Sequence, residues 1–257
     1  MSTRWLAFTL IPLAACGSME STAGDEATQA EAAALTTETS NVEGSLQTVA
    51  TASLTMAEMT SGDMAAAAAA KGAGAHLKPM GCYTAVASGN KVTYSFNSCT
   101  GPYGLVRANG LVVATFTPVQ GGLKVDVVAN SFKVNDTTVN VAFSGTFTMS
   151  GNTKKATINS TSSATSAKGR SITRTGSYTV TWDGMCITLD GAFATTLGSA
   201  NYATTFTALK RCETGCPSGA ISFVGPGGAM TLTYDGTARA KWTVGIKSGT
   251  VALLCIP

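Results

Sequence analysis

Histidine is nearly absent: His76 is the only one in 257 residues. A structural zinc site takes four Cys or His ligands, so the stretch Cys212-Glu213-Thr214-Gly215-Cys216 finds too few partners for that chemistry. A Ser-His-Asp mechanism needs a base held beside its nucleophile, and His76 stands in a stretch with little to hold it. Acids are sparse in the C-terminal part, where only Asp126, Asp136, Asp183, Asp190, Glu213 and Asp235 follow Gly81. Asp183 falls in a turn, and Asp190 and Asp235 alternate onto polar faces, so no carboxylate pair for glycoside cleavage is evident. No G-x-x-x-x-G-K-[ST] loop occurs to cradle a phosphate. Gly225-Pro226-Gly227-Gly228 lacks the helix that would follow such a loop. These absences argue against an enzyme, a metal site or a cofactor. No apolar run reaches the roughly 20 residues that a membrane-spanning helix requires, and nothing in the chain points to nucleic acid.

What is present begins at the N-terminus, MSTRWLAFTLIPLAACGSME. Arg4 precedes a short apolar stretch, Trp5 to Leu13, the form of a secretory signal. Its end, Leu13-Ala14-Ala15-Cys16, resembles the lipobox of bacterial lipoprotein precursors. The resemblance covers this first segment alone. It implies cleavage after residue 15 and lipidation of Cys16, with the acyl chains tethering the mature chain to a membrane. Gly17 in place of Asp implies, by the same analogy, onward sorting to an outer membrane. Cysteine parity fits the analogy. Removing Cys16 from the seven leaves Cys82, Cys99, Cys186, Cys212, Cys216 and Cys255, an even set suited to disulfides in an oxidising compartment.

Composition then divides the mature chain. Residues 16–78 are rich in Ala, Thr, Ser and Glu, carry eight acids against two bases, and hold no aromatic residue. Such a segment buries too little apolar surface to offset its ordering entropy, so it reads as a mostly disordered spacer. One short helix is expected over 61–71, with Asp63 near its start, Lys71 near its end and Gly72 as a stop. Residues 79–257 form a β domain with fourteen bases against six acids, a net of +8. That charge keeps a Thr-rich sheet soluble and its edges unpaired, and it also suits an anionic envelope polymer or lipid as partner.

The β domain alternates strictly. Val139, Val141, Phe143, Gly145, Phe147 and Met149 share one face of a strand, with polar or small residues on the other. Five such runs contain a polar residue followed by glycine: Asn109-Gly110, Ser144-Gly145, Thr175-Gly176, Asp190-Gly191 and Asp235-Gly236. Asn-Gly and Asp-Gly are hairpin signals, but a two-residue turn would shift the apolar series between odd and even positions. The series continues unshifted through all five, so the strands are expected to run through these glycines. At Asp183-Gly184 the parity does flip, as a hairpin demands. The fold expected is all-β: a long-stranded, strongly curved antiparallel meander of about 12 strands, closed as a barrel or left as a half-open roll.

Cys82 and Cys99 flank a hairpin turning near Gly89-Asn90 and are expected to bridge on the outer face. For Cys186, Cys212, Cys216 and Cys255 the pairing stays open; Cys212 with Cys216 closes a small loop and leaves Cys186 with Cys255. The outward Thr rows, Thr173, Thr175, Thr179 and Thr181 with Thr231, Thr233 and Thr243, suit a strand surface. The inward aromatics, Phe143, Phe147, Tyr178, Trp182, Phe193, Tyr202, Phe206 and Trp242, suit a core. The whole pattern is similar to Thr/Gly-rich surface lipoproteins of Gram-negative bacteria, a resemblance that implies no activity. Two functional readings follow. The first is a lipid-anchored cell-envelope protein with a structural, adhesive or binding role. The alternative is a periplasmic lipid or lipoprotein carrier with an apolar cavity in a half-barrel.

Overall fold

The structure is a computed structural model that describes residues 46, 50, 51, 54–72, 78–100, 107–134, 137–151, 153–165, 169, 171–183, 186–212 and 214–253. Cys16, Cys255 and most of the expected spacer lie outside these residues. The described chain is one antiparallel sheet of thirteen strands, each paired with its neighbours in sequence. The strands are β1 (Tyr83–Ser88), β2 (Lys91–Thr100), β3 (Arg107–Val119), β4 (Gly122–Val134), β5 (Thr137–Ser150), β6 (Thr153–Thr165) and β7 (Ser171–Asp183). They continue with β8 (Cys186–Leu197), β9 (Ala200–Cys212), β10 (Ser218–Gly225), β11 (Gly228–Asp235), β12 (Arg239–Val244) and β13 (Lys247–Ala252). Among the described residues β1 pairs only with β2 and β13 only with β12, so the sheet is an open meander rather than a closed barrel.

Four of the five glycine-centred runs pass straight through their glycine, at Gly110, Gly145, Gly176 and Gly191. The fifth does not. β11 ends at Asp235, and Gly236, with φ +84°, opens the turn into β12. The expected parity flip is missing because Tyr234 pairs with Ala240 across five intervening residues. An odd number of connecting residues leaves odd and even faces unchanged, so the parity test rejects two-residue turns and is blind to this one. Asp235 Oδ1 accepts hydrogen bonds from Thr237 N at 3.0 Å and Thr237 Oγ1 at 2.7 Å. These bonds hold the Asp235 carboxyl below the usual carboxylate range.

Three bulges break the alternation, and each is built the same way. β2, β4 and β9 each carry one extra residue relative to a neighbour, at Ser98, Ser131 and Ala208, all with positive φ. The amide of each donates to a side-chain oxygen on the next strand or the one before: Ser98 N to Asn109 Oδ1 at 2.7 Å, Ser131 N to Asn140 Oδ1 at 2.8 Å, Ala208 N to Asp190 Oδ1 at 2.6 Å. The Asn-Gly and Asp-Gly dipeptides are therefore bulge clamps. Asn109 or Asp190 holds the neighbour's stray amide, and Gly110 and Gly191 adopt φ +123° and +146° beside it. Bulges bend a strand and raise its twist, which curls the sheet onto its apolar face. Asp190→Ala is expected to lower stability by about 1 kcal/mol through the lost hydrogen bond. Asp190→Asn, which keeps an acceptor like those of Asn109 and Asn140, should restore most of it in urea unfolding.

The core lies on one face along the sheet. Val92, Tyr94, Phe116, Leu123, Val125, Ile158 and Phe193 are among its buried members. A helix covers part of it. α1 (Gly62–Gly72) is capped by Ser61, whose carbonyl accepts from Ala65 N at 3.0 Å, and packs on β1, β2 and β3. Its alanines Ala65, Ala66 and Ala69 are wholly buried, and the preceding turn Glu58–Thr60 lies on β4. At Gly62 the helix begins so close to Phe116 O and Asn90 Cβ that a side chain would not fit. The expected helix thus forms within a residue of its predicted ends. The spacer expectation fails for residues 54–72: they belong to the core of the β domain, because a single sheet needs a second layer over its apolar face.

Candidate functional site

Cys82 and Cys99 are bonded. They are buried rather than on the outer face, because the extra residue at Ser98 turns Cys99 onto the core side. Cys186 bonds Cys212, which overturns the suggested Cys212–Cys216 loop and the Cys186–Cys255 pair. The register explains it: Cys186 and Cys212 are direct cross-strand partners at the start of β8 and the end of β9, with Cα atoms 4.0 Å apart. Cys216 is also disulfide-bonded. Replacing Cys186 and Cys212 together by Ser opens a 26-residue separation. The expected loss is about 3.5 kcal/mol on the chain-entropy relation, read as a lower denaturation midpoint with the β-sheet circular dichroism of the folded state retained.

The two faces of the sheet differ in chemistry. On the outer face the register aligns a row of small polar side chains from Thr115 on β3 to Ser248 on β13. It runs through Asp126, Ser144, Asn159, Ser177, Ala192, Thr205, Ser222, Thr231 and Thr243, so a carboxylate interrupts it on β4 and a methyl group on β8. On the inner face the aromatics named from sequence are all present. Tyr178 and Phe193 meet at 5.0 Å between ring centroids, Phe193 and Phe206 at 5.7 Å edge to face, and Tyr202 stacks on Phe223 at 5.4 Å.

The inner face is not covered evenly. Under α1 and the Glu58–Thr60 turn, the side chains of β2 to β4 are fully buried. Across β10 to β13 the same face carries Ile221, Phe223, Met230, Tyr234, Trp242 and Val244, all only partly buried. They line up by register, Phe223 with Met230 and Met230 with Val244, Ile221 with Leu232 and Leu232 with Trp242. A row of large apolar side chains left half-open on the inner face of an unclosed sheet is the surface best suited to hold a ligand.

Polar groups punctuate that apolar face. Lys154 on β6 donates its Nζ to Leu54 O at 3.1 Å. Burial lowers its pKa, and nearby Glu58 partly offsets this. Burial raises the pKa of Tyr234, and Arg211 on β9 acts against it. Burial also raises the pKa of the Tyr94 hydroxyl strongly, with the Tyr83 phenol group adding to it. Deeper in the face sits a cluster that sequence reading passed over: Ser160 and Ser162 on β6, Arg174 on β7, Thr195 on β8 and Thr204 on β9, all buried. Arg174 is 1% exposed and lies over the Phe193 ring, with Cζ 3.7 Å from its centroid. The signal was in the pattern, since Arg174 occupies an apolar-face position in its strand, beside Gly176 and Tyr178.

Among the described residues no three His, Cys, Asp or Glu side chains gather as metal ligands would, and no helix is long and apolar enough to cross a membrane. Comparisons with family models, with curated proteins and with solved structures returned no match.

Proposed function

We propose that this chain is a lipid-anchored protein of the bacterial cell envelope, sorted to the outer membrane, that works without catalysis by binding an apolar ligand on its inner face. The lipobox resemblance at Cys16 supports the anchor, and the two bridges at Cys82–Cys99 and Cys186–Cys212 suit an oxidising compartment. One observation carries the binding role: the half-buried row Phe223, Met230, Trp242 and Val244 on an open sheet whose opposite end, β1 to β4, is covered by α1 and the Glu58–Thr60 turn. A core alone gives no reason to leave these side chains partly exposed, whereas a carrier needs an apolar surface in reach of its cargo. Native mass spectrometry of the protein drawn from the envelope tests this. A retained amphiphile, together with acylation at Cys16, is the expected result; a protein free of ligand and unable to take up any apolar probe would overturn it.

The outer face supports a second reading, a structural or adhesive one. Its row of hydroxyl and amide side chains takes in nine of the eleven strands from β3 to β13, with Asp126 on β4 and Ala192 on β8 between them, a broad polar surface for an envelope polymer. Binding of the protein to isolated envelope fractions at low salt, lost when Asn159, Ser177 and Thr205 of that row become Glu, would favour it. Indifference to those fractions would remove it.

A further inference from the structure

We infer that the outer face of β1 to β4 docks on anionic phospholipid, a membrane contact separate from the anchor. The inference goes beyond the inner-face ligand and shares with the proposed function only the tether at Cys16.

The outer face is not polar throughout. One outward position along from the Thr115 row, the register aligns Val86 on β1, Thr93 on β2, Val113 on β3 and Val128 on β4. Leu111 holds the next outward position on β3. Val86 is 63% and Leu111 57% exposed, and Val113 and Val128 are exposed as well. Apolar side chains scattered singly over a surface are ordinary. Four of them at adjoining positions on neighbouring strands form a patch, and an apolar patch with a polar rim marks a protein or membrane contact.

The rim is cationic, and its charge chooses the occupant. Lys91 on β2 stands one outward position from Thr93, and Lys133 on β4 pairs with Asn109, one outward position from Leu111; both lysines are exposed. An ammonium therefore flanks the patch on either side. β1 to β4 carry Lys91, Arg107, Lys124 and Lys133 against Asp126 alone, and Lys124 already engages Asp126 at 2.9 Å. A second copy of this chain would bring the same cations to the same place and be repelled. A polyanion without apolar parts would leave Leu111 and the valines unmatched. An anionic bilayer answers both, with phosphates for the ammonium groups and the acyl boundary for the centre. The long lysine stems let the charges stay among headgroups while the apolar centre sits deeper.

The surroundings suit such a contact. The sheet curls toward its inner face, so this outer face is convex. Behind it α1 packs on β1 to β3, and the Cys82–Cys99 bridge ties down the end of β2. Between Cys16 and Leu46 the chain can extend about 100 Å at about 3.4 Å per residue, so an anchor at Cys16 brings the domain near a membrane without orienting it. The patch supplies the orientation.

The test uses the mature chain from residue 16 with Cys16→Ser, which carries no acyl group and keeps every described residue. It is floated with vesicles of phosphatidylcholine alone, or with about one-third phosphatidylglycerol. The expected result is binding to the anionic vesicles roughly tenfold tighter or more, mostly lost in about 0.5 M salt. Lys91→Gln with Lys133→Gln should weaken it about tenfold, and Leu111→Ser with Val128→Ser several-fold. Lys210→Gln with Lys241→Gln removes the same charge from exposed positions on β9 and β12 and should leave most of the binding intact. All six side chains are exposed, and an unchanged circular dichroism spectrum verifies each fold. Equal losses from the two lysine pairs would reduce the effect to net charge and overturn the patch. Equal binding to neutral and anionic vesicles would overturn it too. So would indifference to all vesicles; retention on protease-sensitive envelope fractions would then assign the patch to a protein partner. Each of these results leaves the inner-face reading to its own test by native mass spectrometry.

Discussion

A chain shortened to begin at residue 79 should lose its cooperative unfolding transition. Composition alone would place a domain boundary there, yet Leu46, Leu54 and Met59 are buried in the same core as β2 to β4. Each such side chain contributes about 2 kcal/mol when taken from water, about 6 kcal/mol in all. That is comparable to the entire stability of an ordinary domain. The loss goes further, because α1 and its wholly buried alanines depart too, Lys154 loses its acceptor at Leu54 O, and Val92, Tyr94 and Phe116 meet water. Thermal scans by circular dichroism and binding of a hydrophobic dye would show it. A sharp transition at the full-length midpoint, with no dye binding, would mean the N-terminal layer contributes nothing.

Gly191→Val should be nearly as damaging. Gly191 holds φ +146°, which side-chain-bearing residues rarely adopt, and a Cβ there would run into Tyr178 Cβ, with Tyr178 Cα and Ser177 O both at 2.5 Å. Tyr178 sits directly across on β7, so the conflict is with backbone that cannot step aside. Strained backbone and overpacking together should cost at least about 3 kcal/mol. Gly151→Ala separates the two causes. Gly151 has φ +59° but nothing within reach of a Cβ, so only the conformational part remains, about 1 kcal/mol. Equal unfolding midpoints for the two variants would refute the packing argument.

The strands could be read from the sequence because one face of each is apolar. Val139, Val141, Phe143 and Phe147 on β5 are all buried, as alternation requires. Odd-and-even bookkeeping also separated real turns from Gly145, Gly176 and Gly191. It failed where physics preserves parity without continuity, as at Gly236, or breaks parity without a turn, as at the bulges. In β9 the buried series runs Tyr202, Thr204, Phe206 and then Leu209; that slip from even to odd was the visible trace of the Ala208 bulge. The Asn-Ser pairs at residues 97–98 and 130–131 mark two more. The role of α1 was hidden for another reason. Ala65, Ala66 and Ala69 are buried while Ala67 is exposed, and a run of identical residues carries no periodicity to tell the faces apart. The Arg174 cluster was missed because a polar residue in an apolar series looks like an interruption until its neighbours on β6, β8 and β9 are known.

Among the described residues every strand pairs with its chain neighbours alone, which has a consequence for how the molecule is made. No strand has to wait for a distant partner, so ring closures stay short and assembly can zip outward from any hairpin, the circumstance under which β proteins form fastest. The same plan makes the sheet's width adjustable: duplicating or deleting one hairpin changes it by two strands without rerouting the rest. Ancestors and descendants of such a protein can therefore differ in strand number while keeping the same way of winding.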